Sequence, residues 1–122
     1  MEIYQSFPIK EPVEHYRGDF VERHYDLADG DGVNNTPWDL TGYSARLQVR
    51  DLHDRLLLQL VSPSGISLNS PPGRVSWFVG PGPSGTIPPG RHFYDLELVA
   101  PDGKVITILS GVWFTSPDVT RV

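Results

Sequence analysis

Four histidines, at positions 15, 24, 53 and 92, are the side chains of this 122-residue chain best suited to proton transfer near neutral pH. A hydrolase built on one of them needs a nucleophile on one side of the ring and a carboxylate on the other. Glu22-Arg23-His24 and Leu52-His53-Asp54 place His near an acid in sequence. Adjacent residues of a strand point to opposite faces, so His53 and Asp54 are no preformed dyad, and Glu22 and His24 fall together on the polar face of their strand with no nucleophile motif near them. No serine sits in a G-x-S-x-G nucleophile elbow, and all four histidines lie in polar local contexts. They read as surface histidines, and no catalytic residue is assigned.

The acids offer a second chemistry. Asp26, Asp29 and Asp31 with Asn34 collect oxygen donors at short spacing beside Gly30 and Gly32, as calcium loops do. The order lacks the distal bidentate Glu of an EF-hand, and Asp-Gly with Asn-Asn is also ordinary turn chemistry, so a solvated turn is the reading and no metal is assigned. Arg17-Gly18-Asp19 spells an adhesion tripeptide, but three residues recur by chance and Gly-Asp is a plain strand-entry turn, which is the reading taken. Trp38, Trp77 and Trp113 could stack on a sugar if grouped on an exposed face; core packing is favoured for Trp77. No Gly-rich loop precedes a helix, so no cofactor cradle is expected.

Composition narrows the partners. The formal charge is −5 with Lys and Arg scattered singly, which argues against nucleic acid. No cysteine is present, excluding disulfides and thiolate chemistry and fitting a reducing cytoplasm. No run approaches the ~20 apolar residues that cross a bilayer, and the N-terminus has no secretory pattern, so no membrane partner is expected.

The elements that would position these side chains are strands. Gly and Pro number 12 each, cutting the chain into short segments without helical periodicity. Val21, Tyr25 and Leu27 alternate with Glu22, His24 and Asp26, with Arg23 the misfit on the apolar face. Tyr43, Ala45, Leu47 and Val49 alternate with polar residues, and so do Val75, Trp77 and Val79. Residues 55–61 are almost continuously apolar, residues 66–68 form a short segment, and strands at 92–99 and 105–114 are joined by Ala100-Pro101-Asp102-Gly103-Lys104 as a hairpin. About seven strands of this kind predict an all-β antiparallel sandwich or small barrel.

Two segments stand apart. Residues 1–16 carry Pro8 and Pro12 among spaced apolar side chains, which suits either an extended arm seeking a partner surface or an edge strand of the domain itself. Residues 80–85, Gly-Pro-Gly-Pro-Ser-Gly, are expected to form an exposed loop.

Several segments then form a familiar series: Gly18-Asp19; Asp39-Leu40-Thr41-Gly42-Tyr43-Ser44-Ala45-Arg46-Leu47-Gln48-Val49-Arg50; Gly73-Arg74-Val75; Pro89-Gly90-Arg91-His92-Phe93-Tyr94-Asp95-Leu96-Glu97-Leu98; and Pro101-Asp102-Gly103-Lys104-Val105. Over residues 17–120 the chain resembles the immunoglobulin-like domain of phage and prophage tail proteins, and is similar to the N-terminal domain of upper baseplate proteins of phages that infect Gram-positive bacteria. It departs from that pattern at residues 80–85, where such domains often carry a short helical turn, and in its N-terminal segment. The resemblance implies an immunoglobulin-like sandwich, a place in the virion after synthesis in the host cytoplasm, a connector role in tail or baseplate, and no catalytic residue or cofactor. The expected organisation is an arm over residues 1–16 and a sandwich over 17–122. Ile3, Tyr4, Phe7 and Ile9 are the expected contacts with other virion proteins, in a homo-oligomer within a symmetric assembly. Capsid decoration and a carbohydrate-binding module for host glycans are the alternatives, with a small hydrolase behind them.

Overall fold

Alternation at period two turns one side of each strand toward a common interior, and here it builds two facing sheets. The computed structural model describes residues 2–3, 7–30 and 35–117. In chain order the elements are β1 (Glu2–Ile3), β2 (Ile9–Lys10), β3 (Val13–Tyr16), β4 (Val21–Gly30), β5 (Asn35–Pro37), β6 (Ser44–Arg50), β7 (Leu56–Val61), β8 (Ile66–Leu68), β9 (Arg74–Val79), α1 (Pro81–Ser84), β10 (Gly90–Val99) and β11 (Val105–Ser116). One sheet runs β1-β4-β9-β8, with β5 also on β4; the other runs β2-β11-β10-β6-β7, with β3 also on β11. All seven strands expected from alternation are present. The N-terminal segment adds three short ones and residues 35–37 a fourth.

The core lies between the sheets. Val21, Tyr25 and Leu27 from β4 and Val75, Trp77 and Val79 from β9 meet Ala45, Leu47 and Val49 from β6, Tyr94, Leu96 and Leu98 from β10, and Trp113 from β11. Trp113 stands against both Trp77 and Tyr94, at 5.5 and 5.7 Å between ring centroids, so aromatic contacts join one sheet to the other. β7 is an edge strand whose single deeply buried residue is Leu58, with Leu57 and Leu60 partly buried against the core.

The Asp39–Arg50 segment has a structural explanation throughout. Asp39 accepts hydrogen bonds from the Thr41 backbone and hydroxyl at 3.0 and 2.6 Å, Tyr43 N–H closes a turn on Leu40 O at 3.0 Å, and Gly42 takes the left-handed φ of +79° that this turn requires. Leu40 plugs the end of the core, its N–H donating to Asn69 Oδ1 at 3.2 Å. The hairpin expected at residues 100–104 is also present: Ala100 N–H donates to Lys104 O and Gly103 N–H to Ala100 O.

Two expectations are corrected. Residues 80–85 are not a loop without regular structure, because residues 81–84 wind into one helical turn. Pro81 and Pro83 lie where a missing N–H costs a helix little, Ser84 N–H reaches Gly80 O at 2.9 Å, and the Ser84 side chain is buried. Nor is the N-terminal segment a separate arm, since β2 and β3 pair in parallel with β11, Ile9 opposite Leu109 and Val13 opposite Trp113. Val13 is fully buried, so the sandwich begins well before residue 17.

Candidate functional site

The most concentrated cluster of polar chemistry is internal. His15, on β3, is buried and touches two other elements, α1 and β11. Trp113 Nε1–H donates to His15 Nε2 at 2.8 Å, and the Thr115 hydroxyl lies 3.0 Å from the same nitrogen. An indole nitrogen only donates, so Nε2 is the bare nitrogen and Nδ1 carries the proton of the neutral ring. Nδ1–H donates to Tyr16 O at 3.0 Å, with Ser84 Oγ 3.2 Å away. Burial pushes the His15 pKa below its ordinary value, against smaller opposing effects of the Tyr16 hydrogen bond and the Asp19 charge.

This cluster has the residue types of a serine–histidine dyad but the wrong protonation for one. The nitrogen facing Ser84 already bears a proton and cannot take another from the hydroxyl. Ser84 Oγ also accepts the Gly18 N–H at 3.1 Å and is fully buried. What the arrangement does is tie β3, α1 and β11 together. The burial of His15 is a correction to the surface reading, and polar neighbours in sequence concealed it.

The Arg17-Gly18-Asp19 tripeptide belongs to the same knot. Asp19 N–H closes a turn on Tyr16 O at 3.0 Å, Gly18 takes a φ of +89°, and Arg17 Nε donates to Gly85 O at 2.8 Å. Between β2 and β3, Glu11 anchors the segment a second time. Its carboxylate accepts the Tyr25 hydroxyl, its carbonyl accepts the Tyr94 hydroxyl at 2.6 Å, and its N–H donates to Ser110 O at 3.0 Å. Both phenols are pushed above their ordinary pKa, by burial first and by Glu11 next.

Of the residues expected to contact partners, Phe7 and Ile9 turn inward. Phe7 packs edge-on against Trp38, with centroids 5.5 Å apart, and Ile9 covers the core beside β11. Ile3 pairs through its backbone with Leu27, and Tyr4 lies outside the described residues. The physical reason is that apolar groups on an extended segment reach their own sheet edge without the entropy cost of association.

The acidic turn is dispersed among other partners. Arg74 grips Asp26 with two hydrogen bonds of 2.7 and 3.0 Å, which hold its carboxyl below the ordinary value, and Asp29 accepts the Trp38 indole N–H at 3.0 Å. Asp31 and Asn34 lie outside the described residues, and among the described residues no group of His, Cys, Asp and Glu could hold a metal ion. His24 and His53 are exposed, whereas His92 is buried with Nε2–H donating to Pro88 O at 2.7 Å. Beside it an open cleft of about 610 Å³ is lined by Leu52, Leu56, Leu57, Pro88 and Pro89. No helix among the described residues is long and apolar enough to cross a membrane.

The outer surfaces carry what sequence reasoning missed. Phe20 and Phe78 stack at 5.9 Å, each about half exposed, and Phe93 and Phe114 stand exposed on the other sheet, Phe93 under the Arg91 guanidinium. The signal was present in Phe78 and Phe93, which fall on the polar side of their strands' alternation.

Two sheets ordered β1-β4-β9-β8 and β11-β10-β6-β7, closed by a parallel N-terminal strand on β11, make this an immunoglobulin-like β-sandwich. No family model and no curated protein sequence matches the chain. Among solved structures it is similar to CopC from Methylosinus trichosporium OB3b, with 8% identity, a TM-score of 0.48 and coverage of 90% of this chain and 88% of that one. It is also similar to Drosophila OTK extracellular domains 3-5, with 17% identity, a TM-score of 0.30 and coverage of 94% of this chain and 35% of that one.

Proposed function

We propose that this chain is a non-enzymatic structural component of a bacteriophage virion, a tail or baseplate connector that docks its sandwich onto symmetric partners. The observation that carries the reading is where the reactive side chains are. His15, Ser84, Asp26 and Glu11 are occupied in holding the fold, while large apolar side chains, Phe20, Phe78, Phe93 and Phe114 among them, stand exposed on the outer faces. Such side chains return about 25 cal/mol per Å² when a partner covers them, and so favour docking over turnover. The likeness of residues 17–120 to phage tail domains supplies the virion, and the docking contacts move from the N-terminal segment to these faces.

The test is to purify intact phage particles from a producing culture and quantify this chain in them by mass spectrometry. A fixed copy number per particle supports the reading; absence from intact particles overturns it. The stacked Phe20–Phe78 pair favours one other reading, a platform for host surface glycans. Binding of isolated host glycans that is lost in Phe78→Ala would bring that reading forward.

A further inference from the structure

A sheet edge presents unpaired backbone N–H and C=O groups, and proteins blunt such edges with short strands, prolines, bulges and charges. Most edges here are blunted. The first sheet ends in β1, of two residues, and β8, of three; the second ends on one side in the N-terminal strand, interrupted at Pro12. Its other end is β7, six residues reading Leu-Leu-Leu-Gln-Leu-Val without a charge or a proline. Leu56 and Val61 are each 46% exposed.

The backbone direction on this edge follows from the pairing. Ser62 N–H donates to Ala45 O at 2.9 Å, and the register places Leu60 opposite Leu47 and Gln59 opposite Gln48. In an antiparallel ladder hydrogen-bonded pairs alternate, so Leu60 and Leu58 bond to β6 while the N–H and C=O of Gln59 point away from it. The extra residue at Leu57 and the bond from Ser64 N–H to Val61 O limit the open ladder to residues 57–61.

We propose that β7 pairs antiparallel with β7 of a second copy of this chain, about a two-fold axis at Gln59, making one sheet continuous through both molecules. The strand is complementary to itself. Gln59 faces the partner's Gln59, Leu58 faces the partner's Leu60, and Arg55 falls opposite the partner's Pro63, so no like charges meet. Gln48 Nε2 already donates to Gln59 Oε1 at 2.6 Å. The Gln59 amide group is left to donate across the axis, extending a glutamine ladder through four side chains. The pairing rests on the sheet edge alone and holds whether or not the chain belongs to a virion.

The experiment is analytical ultracentrifugation of the full chain at submillimolar concentration beside Gln59→Lys, with Gln59→Cys as a probe of register in a chain that has no cysteine of its own. The wild type is expected at twice 13.6 kDa, Gln59→Lys self-associates at least about tenfold more weakly while its far-UV circular dichroism stays that of the wild type, and Gln59→Cys oxidises to a covalent dimer, because hydrogen-bonded partners lie within disulfide reach at about 5.5 Å between Cα atoms. A monomeric wild type overturns the proposal. So does a Gln59→Lys variant that dimerises as well as the wild type, or a Gln59→Cys that stays monomeric under oxidation.

Discussion

Trp113 donates its indole N–H to His15 Nε2 across 2.8 Å, and this bond fixes the tautomer of a buried histidine. Protonating Nε2 would set two donors against each other inside the core. Since burial lowers the folded-state pKa of His15 below 6.5, the unfolded chain binds the proton first as pH falls. The stability this group contributes is therefore present above about pH 6.5 and is lost as pH drops through the lower folded value. Thermal midpoints measured from pH 7.5 to 5 should fall across that window, and His15→Gln, which cannot titrate, should flatten the dependence. An equal decline in His15→Gln would assign it to other groups.

Gly111 faces the N-terminal strand so closely that a Cβ there would lie 2.5 Å from Glu11 O. Gly111→Ala should push residues 9–13 off β11 and loosen the Tyr94–Glu11 hydrogen bond. Hydrogen exchange should show faster exchange at the amide of Glu11, which donates to Ser110 O, at a cost of about 1–3 kcal/mol from displaced packing and lost bonds.

Removal of residues 1–14 should unfold the domain rather than leave a soluble sandwich without its arm. Val13 is fully buried against the core, and the truncation strips the edge of β11 along β2 and β3. Val13→Ala alone should cost about 2 kcal/mol in urea denaturation. A truncated chain with a cooperative, near-native melt would show that the parallel strand adds little.

The Asp26–Arg74 pair links β4 to β9, with both side chains about one-third exposed. Exposure limits its worth, so Asp26→Asn should destabilise by only about 0.5–1 kcal/mol. Because Arg74 depresses the folded-state pKa of Asp26, this contribution is present above about pH 3.8 and disappears as pH falls through the lower folded value. Urea midpoints of the two proteins should therefore converge at low pH.

These contacts explain which parts of the molecule were legible in the sequence. Strands such as β6, β9 and β10 were readable because one wet face and one dry face impose period two, and the β10–β11 hairpin because Pro101 and Gly103 mark its turn. The N-terminal segment was not. Its apolar residues are spaced by prolines without alternation, and its partner β11 lies about a hundred residues away, a pairing no local pattern encodes. The fate of His15 was hidden for the same reason, since Trp113 and Ser84 reach it through the fold. The helical turn at residues 81–84 was masked by prolines that break a helix interior and yet suit its first turn.

The claim that this sandwich serves as a docking component of a phage tail is tested most directly by a cryo-EM map of intact particles. Density at the tail or its tip that fits the sandwich, with neighbouring protein against the face of Phe20 and Phe78 or that of Phe93 and Phe114, is the predicted result. Density on the capsid shell, or none in the particle, would contradict it.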